Sequence, residues 1–72
     1  KQYEKAIECF TQSLELNEFQ AHTYYRRALS LYETGEYEKS MGDLNNAVSL
    51  GIDENEIQSL RDKLVKKFGM SM

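Results

Sequence analysis

Apolar side chains recur along this chain at intervals of three and four. Tyr3, Ala6, Ile7, Phe10, Ser13 and Leu14 follow the spacing of a single helical face, and Asn17 ends that run. A second helix is predicted from about Ala21 to Thr34. Gly35 follows it, where a left-handed residue can cap the last carbonyls. A third is predicted from about Glu36 to Leu50, closed in the same way by Gly51. Gly42 falls inside it at a cost of about 1 kcal/mol relative to Ala, which suggests a close helix approach there. A fourth begins near Asp53, a good N-cap, with Glu56 placed three residues on to complete a capping box. Ile57, Leu60, Leu64 and Phe68 form its apolar stripe, and Gly69 stops it. Acids crowd its start and Arg61, Lys63, Lys66 and Lys67 its end, as the helix dipole prefers. Nothing in the pattern alternates as a strand would, so the expected fold is all-α.

The pattern also repeats. Residues 3–16, YEKAIECFTQSLEL, lie over residues 37–50, YEKSMGDLNNAVSL, at an offset of 34. Tyr3 meets Tyr37, Ala6 meets Ser40, Phe10 meets Leu44, Ser13 meets Ala47 and Leu16 meets Leu50. Aromatic, small and large apolar positions recur together, which is the mark of stacked helix pairs that bury one another's faces.

Composition narrows the reading. At 72 residues a lone core is marginal. The single cysteine, Cys9, allows no internal disulfide, and one Cys with one His cannot make a zinc site. No metal or cofactor is expected. No apolar run approaches a membrane span of about 20 residues, so no membrane partner is expected. An unpaired cysteine and no targeting segment fit a cytoplasmic setting. The chain starts within a predicted helix and without Met, which reads as part of a larger protein.

A helix pair repeating every 34 residues resembles the tetratricopeptide-repeat family. Residues 21–54 look like one complete repeat, with Tyr24 at the large aromatic position, Ala28 and Ser40 at small ones, Gly35 and Tyr37 at the turn, and Leu44 and Ala47 further along. Residues 1–20 resemble the second helix of a preceding repeat with its connecting turn. Residues 55–72 resemble the solvating helix, with a tail, that closes such arrays. The resemblance implies an antiparallel helix-pair solenoid of about four helices. Two departures stand out: Glu18 and Ile52 replace the usual proline, and Arg27 occupies a place more often apolar.

Tyr24, Ala28 and Leu31 are expected to face the partner helix. His22, Tyr25, Arg26, Leu29 and Glu33 share another flank of the same helix. In the family the first helix of each pair lines a concave groove that holds extended peptides, so these five are the candidate peptide-binding residues. Arg26 offers a planar, always-charged fork suited to carboxylates. The stretch HTYYRRA is similar to the third repeat of chaperone-binding members. There a Lys and an Arg four residues apart clamp the carboxylates of a heat-shock chaperone's C-terminal tail. Arg26 matches the Arg, and His22 stands where the Lys would be. The resemblance therefore implies a protein or peptide partner of acidic character, such as a chaperone's C-terminal tail. The competing bland reading makes Arg26 and Arg27 solvated charges paired with Glu33 or Glu18.

Other classes fit less well. Nucleic-acid binding wants a basic face, whereas the chain carries a net charge of −3. Catalysis would need a positioned nucleophile and base. Cys9 and His22 are the only such pair, and Cys9 is expected as a small buried hydrophobe. No catalytic residue is assigned. The alternative to a peptide receptor is self-assembly, with dimerisation through the uncovered face of residues 1–16.

Overall fold

The computed structural model describes residues 2–69; Lys1 and residues 70–72, including the tail expected after the last helix, lie outside that span. Four helices follow one another: α1 (Gln2–Leu16), α2 (Ala21–Glu33), α3 (Tyr37–Ser49) and α4 (Glu54–Phe68). Among the described residues there is no strand. The helices form an antiparallel-hairpin solenoid in which α2 packs on both α1 and α3, and α4 packs on α3 and α2.

The ends of α2 and α3 are built alike. Gly35 (φ +85°) and Gly51 (φ +100°) take the left-handed conformation. Gly35 N donates to Tyr32 O and Glu36 N to Leu31 O; Gly51 N donates to Val48 O and Ile52 N to Ala47 O. Each is a Schellman closure, in which two backbone donors past the helix satisfy carbonyls of its last turn. In the second, Ile52 and Ala47 are both buried, so the turn also feeds the core.

The first turn has no glycine and uses a side chain instead. Gln20 Nε2 donates to Ser13 O (2.9 Å) and Asn17 O (2.6 Å), while its Oε1 accepts from Ser13 Oγ and Thr23 Oγ1. Glu18, the counterpart of Ile52, is exposed, and so is Phe19 at 73 %.

The core runs through Ala28, Leu44, Ala47, Ile52, Ile57, Leu60 and Leu64. The expected contact of small residues is present. Ala28 and Ser40 are fully buried, and Ser40 Oγ donates to Ala28 O at 2.6 Å, which brings α3 onto the α2 backbone. Burying that hydroxyl is tolerable because it is hydrogen-bonded.

Three expectations are corrected. Gly42 is exposed, and a Cβ built there meets nothing within 4 Å, so it permits no close helix approach. Cys9 is exposed; it sits about 140° round α1 from the buried Leu14, off the packed stripe. The capping box of α4 is half made. Asp53 accepts from Asn55 N (2.9 Å), but the Glu56 side chain turns away to His22.

Candidate functional site

The two adjacent arginines of α2 part company. Arg27 points between α1 and α3. Its Nε and Nη2 donate to Asp43 Oδ2 and Oδ1 at 2.6 and 2.8 Å, and its Nη1 donates to Thr11 Oγ1 at 3.1 Å. The Asp43 side chain is 7 % exposed and the Arg27 side chain 21 %. The guanidinium also lies 5.7 Å from the Tyr24 ring centroid. The hydrogen bond to Asp43 holds the Arg27 pKa above its ordinary value, more than offsetting the desolvation that lowers it, and the charge of Asp43 acts in the same direction as the bond. The expected pairing of Arg27 with Glu33 or Glu18 is therefore replaced by a fork on Asp43, sixteen residues away on the facing helix. Thr11, Arg27 and Asp43 belong to a cleft of about 420 Å³ bordered by Ile7, Gly42 and Asn46. Thr11, Arg27 and Asp43 satisfy one another, and the rim lysine, Lys39, pairs with Glu36 at 3.1 Å.

Arg26 lies about 100° round the helix from Arg27 and is exposed. Among the described residues no carboxylate comes within ion-pair distance of it; the pairs formed are His22–Glu56, Arg27–Asp43 and Lys39–Glu36. Glu33 is exposed, Leu29 is 39 % exposed, and Tyr25 is half-buried against the core. Of the five candidate residues, then, Arg26 supplies an unpartnered cation, Leu29 and Tyr25 supply apolar surface, and Glu33 an outer acid. His22 is exposed, but its Nε2 stands 3.2 Å from Glu56 Oε1.

Glu56 and its neighbours on α4 escaped the sequence reading. They border the candidate face because α4 runs beside α2 in the same direction. Glu56 meets His22 in the first turn of α2, and Lys63 Nζ lies 5.9 Å from the Tyr32 ring in the last. Lys67 Nζ lies 5.5 Å from Tyr37, whose ring centroid is 5.4 Å from that of Tyr32. The signal was present in the numbering: His22 and Glu56 are 34 residues apart, one period, so they hold the same place on successive parallel helices.

No group of three His, Cys, Asp or Glu side chains among the described residues is arranged to hold a metal. Within the same span no helix is long and apolar enough to cross a membrane. No curated protein and no solved structure matches the chain significantly. The family model described as Tetratricopeptide repeat matches residues 1–20 and 21–50. With two successive matches, a 34-residue period and helix pairs joined by Schellman turns, the chain belongs to the tetratricopeptide-repeat family, whose helix pairs serve as protein-interaction modules.

Proposed function

We propose that this chain binds an extended acidic peptide, or the C-terminus of a partner protein, in the concave groove lined by the Tyr25–Arg26 flank of α2. The observation that carries the reading is the division of labour between the arginines. Arg27 is consumed by Asp43, while Arg26 stands exposed with no carboxylate of the described residues within ion-pair distance, beside the apolar surface of Leu29 and Tyr25. A guanidinium of that kind suits a bidentate bond to a ligand carboxylate. The tail of a heat-shock chaperone, ending in Glu-Glu-Val-Asp, is one ligand of this chemistry, which would make the protein a cytoplasmic co-chaperone component.

Calorimetry with a peptide ending in Glu-Glu-Val-Asp tests the reading. Arg26→Ala is expected to weaken binding at least about tenfold, equivalent to about 1.4 kcal/mol. Lys66→Ala, which removes an exposed cation from α4, should leave affinity within about twofold, as expected for an exposed charge outside the site. Equal losses from both would mean diffuse attraction of an acidic peptide, with no seat at Arg26. Arg27→Ala is unsuitable as the control, because its removal disturbs the fold.

A further inference from the structure

His22 and Arg26 are one helical turn apart on the same flank of α2, so a ligand with two neighbouring carboxylates could in principle engage both. The structure sets a third charge against that. Glu56 Oε1 is 3.2 Å from His22 Nε2, with the two side chains 48 % and 62 % exposed. The contact follows from the repeat: the two residues are one period apart and occupy matching places on α2 and α4. It is also a choice of partner, since Glu56 gives up the reciprocal bond of a capping box and leaves Asp53 to cap through Asn55 N alone. A ligand carboxylate approaching His22 must displace Glu56 from the Nε2 that it already holds. A carboxylate approaching Arg26 meets no such competitor.

We propose that Glu56 is a specificity determinant of the α2 face: by holding His22 it restricts the site to one carboxylate, seated at Arg26, and excludes a second one toward the start of the helix. The inference rests on the reading of α2 as the ligand face. Within an acidic peptide, one carboxylate is then seated at Arg26, the group beside His22 and Glu56 is neutral or hydrogen-bond-donating, and any further carboxylate is left toward solvent. Glu56 acts on affinity through His22 and is a positioning residue in this sense. Because both side chains are half exposed or more, the effect is that of a surface pair and is screened by salt.

Two probe peptides separate the alternatives: acetyl-Ala-Leu-Val-Asp, with two carboxylates at its end, and acetyl-Ala-Leu-Val-Asn, with one. NMR titration at low ionic strength reads affinities into the millimolar range. The wild-type protein is expected to bind the two within about twofold. Glu56→Gln should strengthen binding of the Asp-ended peptide about two- to fivefold, the scale of one exposed pair, and leave the Asn-ended peptide unchanged. In a His22→Gln background the same substitution should give no gain. A marked wild-type preference for the Asp-ended peptide overturns the proposal without any variant. A Glu56→Gln gain that is absent, is equal for both peptides, or persists in the His22→Gln background also overturns it. Arg26→Ala supplies the separate check: if it weakens neither peptide, the α2 face itself is the wrong site. If it weakens both while Glu56→Gln changes nothing, the face stands and the role of Glu56 falls.

Discussion

Removing the Arg27 guanidinium would leave the Asp43 carboxylate inside the fold with two bonds unmade. Breaking a buried pair from one side costs about 3–5 kcal/mol. Water reaches part of Arg27, so Arg27→Ala is expected to lower stability by roughly 2–3 kcal/mol in urea denaturation. The double replacement Arg27→Leu with Asp43→Leu should recover most of that loss, because an apolar pair of similar volume needs no desolvation of charge. A single variant as stable as wild type would show that water, and not Arg27, satisfies Asp43. The pair was hidden in the sequence because each member looks like an ordinary surface charge. Its trace lies in the stripes. Arg27 falls in the apolar spacing of Tyr24, Ala28 and Leu31, and Asp43 in that of Ser40, Leu44 and Ala47. Opposite charges at apolar places on facing helices are the signature to look for.

At the scale of helices and turns much was legible, and the reason is local chemistry. Gly35, Gly51 and Gly69 each took the left-handed conformation expected of a glycine past a helix end, because the closure needs only a residue without a Cβ penalty. The small residues Ala28 and Ser40 announced the α2–α3 contact for a similar reason: a close approach demands them. Gly42 misled, since a glycine within a helix does not say whether it is there for packing. Exposed, with open space where a Cβ would stand, it costs helix stability and gains no contact. Gly42→Ala is therefore expected to stabilise the protein by about 0.5–1 kcal/mol, read as a rise in melting temperature. A fall in melting temperature would mean that the cleft beside α3 must stay open for folding. The direction of the Glu56 side chain was beyond local chemistry, because its partner lies on another helix and the capping rule considers only its own.

Across the whole molecule the core is lopsided. Its buried cluster is shared by α2, α3, the turn at Ile52 and α4, whereas α1 adds the buried Leu14 outside it. The outer side of α1 stays open, with Tyr3 47 % exposed. Local opening is cheapest where few apolar contacts hold an element. Native-state hydrogen exchange should therefore find amides of α1 exchanging faster than those of α2, α3 and α4, with the last three opening together. Protection of α1 equal to that of α3 would mean that the Arg27 network ties it into the same cooperative unit. The 34-residue period made the solenoid legible before any contact was known. Which elements share one cooperative unit was not, because it depends on the interior that three segments build jointly.

Thr11 gives that network one more consequence. The inner side of α1 is nearly degenerate under a slide of one turn, about 5.4 Å. Ile7, Phe10 and Leu14 offer apolar surface of similar size at each step, so greasy contact distinguishes the settings poorly. The hydroxyl breaks the degeneracy. One turn along, the position facing Arg27 Nη1 passes from Thr11 to Ile7 or to Glu15. The first strands a donor. The second crowds a second, longer carboxylate onto a guanidinium that Asp43 already neutralises. The bond at 3.1 Å thus acts, together with the Gln20 bonds to Ser13 at the turn, as a symmetry-breaking term that gives an otherwise slippery helix one resting place.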